Sequence, residues 1–362
     1  MGMEGVLKLY FGESDLPTPD FIQEAARKAL ADGYTYYTEN AGLPSLREEI
    51  ARYYSRLHGV DLDPSSEIAV TASGVQALSL ALRCLVDPGD EALVMTPAWP
   101  NGASILRLAH AVVREIPQVL HGDRYALDFD TLDAAVTPRT RVLLYTSPSN
   151  PLGWVATEND QDRLLEFARR HKLWLVADEV YERLYYAGGT VPSIVCKATR
   201  EDAVIVVQSF SKAWCMTGWR LGWLVARKDF LERAIPLNEF FVSCPVSFIQ
   251  KAAETALRDG EEWVRSMVDR LRANRDYALA ALRRMPGVVV PEPDGAFYLF
   301  PRIEGAQDSF AFTKRLLMET KVGLAPGVAF GAGGEGNVRI CYASRRDIVE
   351  EAMARMASFL SR

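Results

Sequence analysis

The sequence predicts an α/β protein: a mostly parallel central sheet covered by helices on both faces, with a smaller α+β domain beside it. Three observations carry that prediction. Short apolar runs rich in β-branched residues, at 68–71, 92–95, 141–145 and 203–207, recur between stretches of helical periodicity. These runs are apolar throughout rather than alternating, as strands buried on both faces are. The length of 362 residues also exceeds what one core usually holds, so a large and a smaller domain are expected.

In chain order, residues 5–15 form an alternating extended segment ending in a glycine-containing turn. Thr18-Pro19-Asp20 then starts a helix, with Thr18 as N-cap and proline at the first helical position, and Asp32-Gly33 stops it. The loop 34–42 holds Tyr34, Tyr36 and Tyr37, which suit either strand packing or a contact surface. Pro44 opens an amphipathic helix to about His58. From Glu67 strand and helix alternate. After strand 68–71, Ala72-Ser73-Gly74-Val75-Gln76 turns into an apolar helix through Leu85. Small residues there leave backbone N–H groups at a helix N-terminus, a cradle for an anion, although Ser-Gly before a helix is also a common cap. Strand 92–95 leads to Trp99 between two prolines, either core filling or a stacking face for a flat ring.

Strand 141–145 runs into Asn150-Pro151-Leu152-Gly153, and a helix follows over about 158–171. Strand 173–181 carries Asp178 and Glu179 at its exit. A last strand, 221–226, closes the sheet. Beyond Cys244-Pro245 come two helical stretches, the second over about 261–285. The remainder, with runs at 295–300 and 338–342 and a final helix, reads as α+β with its own small sheet. The expected division is a large domain over 37–272 and a small one over 273–362, joined by the segment 1–36.

Composition excludes several classes. Apolar residues make up 49% and charged residues 24%, an ordinary globular balance, and the net charge of -6 argues against a nucleic-acid partner. No apolar run is long enough to span a membrane and no secretory leader is visible, so a cytoplasmic protein is expected. The five cysteines are odd in number and scattered, as reduced thiols are. The four histidines are unpaired in sequence, so no metal site is expected.

In a covered parallel sheet, ligands sit off the carboxyl ends of the strands. Ser73, Trp99, Asn150, Asp178, Tyr181 and Lys212 all fall at such ends. The stretch from Ser209 to Arg220 is the richest of them, with two hydroxyls, a lysine and an arginine delivered after one strand. A lysine among apolar neighbours is partly desolvated, which favours the free amine suited to Schiff-base chemistry with an aldehyde. Ser209, Ser211 and Arg220 suit a phosphate, and a phosphorylated aldehyde held by a lysine is pyridoxal 5′-phosphate (PLP). Taken alone, the stretch reads equally as a polar loop with an ordinary surface lysine.

Four motifs in order, Asn-Pro-Leu-Gly at 150–153, Ala-Asp-Glu-Val-Tyr at 177–181, Ser-Phe-Ser-Lys…Gly-Trp-Arg-Leu-Gly at 209–222 and Val-Arg-Ile-Cys-Tyr-Ala at 338–343, make the chain resemble the class I/II aminotransferases. These are aspartate aminotransferase-like PLP enzymes of fold-type I, and the resemblance covers essentially the whole chain. It implies that Lys212 holds the cofactor covalently and that Asp178 pairs with the protonated ring nitrogen. Asn150 and Tyr181 would hydrogen-bond the ring's phenolic oxygen, and Trp99 would stack on the ring face. The phosphate would lie among the amides of Ser73, Gly74 and Val75, the hydroxyls of Ser209 and Ser211, and Arg220. Arg339 resembles the arginine that grips the substrate α-carboxylate, and Gly12 the glycine behind it. Tyr37 matches a loop tyrosine that reaches the neighbouring subunit's phosphate, which implies a homodimer with shared active sites. Leu152 stands where a threonine is usual, Val75 offers the phosphate no hydroxyl, and Ala98 replaces an aromatic of many relatives.

The implied activity is transamination between an L-amino acid and a 2-oxo acid, with Lys212 moving the α-proton. Arg107, in an otherwise apolar helix after Trp99, resembles a basic residue that meets a distal carboxylate, which would make aspartate and glutamate substrates. A solvated arginine covering apolar surface is the alternative. A β C–S lyase or an aminocyclopropane-carboxylate synthase on the same scaffold would keep the same residues, and a non-catalytic PLP-binding protein is a rival of another class. A regulator fused to a DNA-binding module is disfavoured by the acidic balance and by motifs that begin close to Met1.

Overall fold

The computed structural model describes residues 4–362. Seven strands form the central sheet: β1 (Ile68–Thr71), β2 (Glu91–Thr96), β3 (Val112–Pro117), β4 (Thr140–Thr146), β5 (Trp174–Asp178), β6 (Val204–Ser209) and β7 (Gly222–Ala226). Their order across the sheet is β1-β7-β6-β5-β4-β2-β3. All are parallel except β7, which runs antiparallel to both of its neighbours. The expected mostly parallel, helix-covered α/β sheet is therefore the observed one.

Two details differ from expectation. The strand expected to close the sheet is inserted between β1 and β6 instead. Between β6 and β7 the chain has only the short turn Thr217–Trp219 and no crossover helix, so it must return beside β6 in the opposite direction. Gly222 permits the insertion: a Cβ there would lie 2.5 Å from the Gln208 carbonyl oxygen and 2.6 Å from the Gly74 nitrogen. The edge strand β3 and the helix Lys228–Glu239 went unforeseen. In β3, Arg114 and Glu115 interrupt the apolar run, because an edge strand is half solvated.

Successive residues of β6 face opposite ways, which divides the packing into two layers. Ile205 and Val207 join Ala77, Ala81 and Leu224 on one face, and Val206 joins Tyr53, Phe210, Trp214 and Trp223 on the other. Each such fully buried aliphatic side chain contributes about 1.5–3 kcal/mol. A further cluster gathers Leu7, Leu9, Leu271, Tyr298, Ile340 and Met353. There Leu7–Lys8 pairs in parallel with Val322–Gly323, so the start of the described chain is built into the C-terminal part. The helix Asp20–Ala31 instead buries Ile22 and Ala26 in the core that holds Trp214.

Thr18 does not cap that helix. Pro19 occupies the N-cap position, and the Thr18 hydroxyl donates to the Cys215 carbonyl at 2.7 Å. It therefore ties the helix entry to the lysine-bearing loop 197 positions later. No helix among the described residues is long and apolar enough to cross a membrane.

Candidate active site

The carboxyl ends of β4, β5 and β6 open into a cavity of about 500 Å³, bounded across from the sheet by Tyr298 and Arg339 and above by Phe11-Gly12-Glu13. Of the residues singled out in the sequence, Gly12, Gly74, Val75, Trp99, Asn150, Asp178, Tyr181, Ser209, Ser211, Lys212, Arg220 and Arg339 line it. Ser73 lies directly behind Gly74 as N-cap of the helix Gly74–Leu85. Its side chain accepts from the Gln76 N–H at 3.1 Å.

One end of the cavity is built for an anion. The N–H groups of Gly74 and Val75 open a helix and have no acceptor within it. Gly74 is set so close to β6 that a Cβ would lie 3.0 Å from the Ser209 Cβ and 3.3 Å from the Gln208 carbonyl oxygen. Ser209 accepts from the Ser211 N–H at 3.1 Å, which folds both hydroxyl-bearing residues into one turn. Arg220 closes this end in a left-handed conformation, φ 56°, its guanidinium donating to the Thr217 carbonyl at 2.5 Å.

Lys212 lies in the middle, half-buried, with Nζ donating to the Gly12 carbonyl at 2.6 Å. That nitrogen also sits 5.4 Å from the Tyr181 ring centre and 5.8 Å from that of Phe297. Asp178 ends β5 and faces the same space. Burial pushes its carboxyl up to about 6, against the pull of the Val180 N–H and of the Lys212 charge. The neighbouring carboxylate points the other way. Glu179 accepts from the Ser193 hydroxyl at 2.6 Å and the Ile194 N–H at 3.0 Å, and burial together with repulsion from Glu182 pushes it up to about 8. The two acids at the strand exit are thus divided by the pleat into one cavity group and one internal anchor.

Arg339 forms the far wall and is 2% exposed. Its guanidinium donates to Asn150 Oδ1 at 2.9 Å and to the Tyr10 carbonyl at 2.5 Å. It is enclosed by the rings of Tyr298, Phe330 and Trp99, at 4.6, 5.0 and 5.7 Å. Among the described residues no carboxylate pairs with it, and its Nε is buried without any partner. Tyr181 is buried beside Asp178, its hydroxyl 2.7 Å from that of Tyr298. Trp99 is half exposed at the cavity edge, leaning on Phe330 at 6.4 Å.

Two expected site residues stand elsewhere. Arg107 does not line the cavity: it lies in the last turn of the helix Asn101–Leu108, exposed and paired with Glu115 at 2.6 Å. Glu115 also accepts from the Ala332 N–H at 2.8 Å. The arginine thus braces the loop that follows Phe330. Tyr37 is 89% exposed and does not line this chain's own cavity, which is compatible with its expected place at the neighbouring subunit's phosphate. Sequence reasoning missed Tyr298, whose run reads only as an apolar strand, and Phe11, Glu13 and Leu78, which line the cavity without a motif of their own.

The family model for aminotransferase class I and II matches residues 4–356. The chain is similar to aspartate aminotransferase of Pyrococcus abyssi, 39% identical over 99% of this chain and 92% of that one. It is similar to aromatic-amino-acid aminotransferase 2 of Thermococcus litoralis, 37% identical over 99% and 92%. Among solved structures, the aromatic aminotransferase from Pyrococcus horikoshii superposes with a TM-score of 0.94 at 38% identity, covering 99% of this chain and 96% of that one.

Proposed function

The chain belongs to the class I and II aminotransferase family, and from that premise we propose that it is a PLP-dependent transaminase moving the α-amino group of an L-amino acid to a 2-oxo acid. The single observation that carries the reading is Arg339, a buried guanidinium with an unpartnered Nε and no carboxylate of the protein beside it. A buried cation left unpaired is costly, and a substrate α-carboxylate in the same cavity as Lys212 supplies the missing charge.

The residues fit the cofactor. The open N–H groups of Gly74 and Val75, where a Cβ at Gly74 would press on Ser209 at 3.0 Å, suit its phosphate together with Ser209, Ser211 and Arg220. Asp178 would meet the ring nitrogen, Asn150 and Tyr181 the phenolic oxygen, and Trp99 one ring face, while Lys212 supplies the covalent link. When bound, the ring supplies an electron sink for the carbon that loses its proton. The chain's own residues do the rest. Arg339 holds the carboxylate and so orients the Cα–H bond. Displaced from its covalent link by the substrate's amino group, the Lys212 amine would be free to take the proton from Cα. Tyr298 and Phe330 shut water away from the guanidinium, which strengthens its hold.

The relatives' names support aspartate as a donor and aromatic amino acids as a second class, and the apolar surfaces of Phe11, Val75 and Leu78 support the latter. A homodimer with shared sites is supported by the exposure of Tyr36, Tyr37 and Phe240, 83%, 89% and 82%. The loop of the two tyrosines is tied to the segment after Phe240 by the Thr38 N–H, 3.2 Å from Cys244 Sγ. Five free thiols support a reducing, cytoplasmic setting.

Borohydride reduction of PLP-loaded protein followed by peptide mapping tests the core of the reading. A pyridoxyl group on Lys212 is expected, and a group on any other lysine overturns the assignment. Amino-group transfer from aspartate should require a 2-oxo acid. Pyruvate and ammonia released from cystathionine without an acceptor would make the enzyme a lyase.

A further inference from the structure

We propose that Tyr298 is a positioning residue of this site, whose phenol aims the Tyr181 hydroxyl into the cavity while its ring supports Arg339. The inference rests on the transaminase reading above. Tyr298 is fully buried, yet it borders the cavity. It touches three groups that the reading uses. Its hydroxyl is 2.7 Å from the Tyr181 hydroxyl. Its ring lies 4.6 Å from the Arg339 guanidinium. Its hydroxyl also packs so tightly on the Gly12 turn that a Cβ at Gly12 would approach it to 2.5 Å.

The cofactor's ring oxygen, which the transaminase reading puts beside Tyr181, would set the direction of the phenol pair. Only one of the two protons can lie between the oxygens. Neither hydroxyl has another acceptor among the described residues; an anionic ring oxygen beside Tyr181 would accept the Tyr181 proton, and the Tyr298 proton would then go to the Tyr181 oxygen. A hydroxyl that accepts one hydrogen bond becomes a better donor of the next. Burial holds the Tyr298 phenol well above its ordinary pKa, so it remains a donor across the working pH range. The strand pairing fixes the aim: Tyr298 sits opposite Cys341 in the ladder that also carries Arg339, so phenol and guanidinium move as one unit.

Two substitutions separate the hydroxyl from the ring. Tyr298→Phe should shift the pH midpoint of the bound cofactor's visible absorbance upward by roughly half a unit or more, since Tyr181 then stabilises the anionic ring oxygen less well. It should lower kcat about three- to tenfold and leave KM for the amino acid within about twofold. Tyr298→Leu should in addition raise KM about tenfold, because the guanidinium loses its aromatic support. In a Tyr181→Phe background, Tyr298→Phe should add nothing to the absorbance shift. A Tyr298→Phe protein that binds PLP and titrates like the unaltered protein overturns the proposal, as does an undiminished shift in the Tyr181→Phe background. If the unaltered protein, loaded with PLP, shows no visible absorbance that titrates, the cofactor reading itself fails, and the proposal falls with it.

Discussion

The Arg339 guanidinium donates to Asn150 Oδ1 at 2.9 Å, joining the C-terminal strand Val338–Cys341 to the loop after β4. One side chain therefore belongs to two tasks. Asn150 faces the cavity beside Asp178 and at the same time fixes the residue that would receive the substrate carboxylate. The loop after β4 and the C-terminal strand are thereby held at a set distance across the cavity.

Arg339→Ala should leave PLP absorbance nearly intact and lower kcat/KM for every amino acid by two or more powers of ten, since a charge-assisted bidentate contact is lost. Arg339→Lys should restore little, because an ammonium cannot present two parallel donors. Titration of the visible band and steady-state kinetics read both. Loss of the cofactor with unchanged substrate kinetics would place Arg339 at the wrong ligand.

The Asp178 carboxyl is raised from 3.8 to about 6, chiefly by burial. A carboxyl raised above its unfolded value contributes stability that is present below about pH 4 and lost as pH rises through about 6. Asp178→Asn should therefore raise the thermal midpoint of cofactor-free protein at pH 8 by roughly one to three degrees, with no difference at pH 4. The same change should abolish turnover. Equal midpoints at pH 8 would show that the ionised carboxylate is not strained in the empty cavity.

Arg107→Met should act alike on all donors, because its partner is Glu115 and not a substrate. We expect kcat/KM for aspartate and for phenylalanine to fall by no more than about threefold each. Stability should change by less than about 1 kcal/mol, as for an exposed ion pair. A loss confined to dicarboxylic donors would restore a direct role in their recognition.

Phe240→Asp places a charge on a strongly exposed apolar residue beside the Tyr36–Tyr37 loop. Sedimentation should show weakened self-association, by tenfold or more in dissociation constant, and activity should fall with protein concentration. An unaltered oligomeric state would move the interface elsewhere.

The parallel sheet is legible in the amino-acid order alone, because a strand buried on both faces must be apolar along its length and that signal is local. The sequence also singled out Lys212 and Asp178 in motifs at strand ends, and Arg339 in a motif within a strand, as candidate site residues. Relationships across long separations emerge only on folding. Tyr298 meets Tyr181 117 positions away, Asn150 meets Arg339 189 positions away, and Thr18 turns from a cap into a tie to Cys215. The pairing of Arg107 is of the same kind: helical spacing gives a face, but the partner on that face, Glu115, arrives on an edge strand whose place depends on sheet order. Local propensity sets which elements form, while the closing of the sheet and the packing of the C-terminal core set which side chains share a cavity.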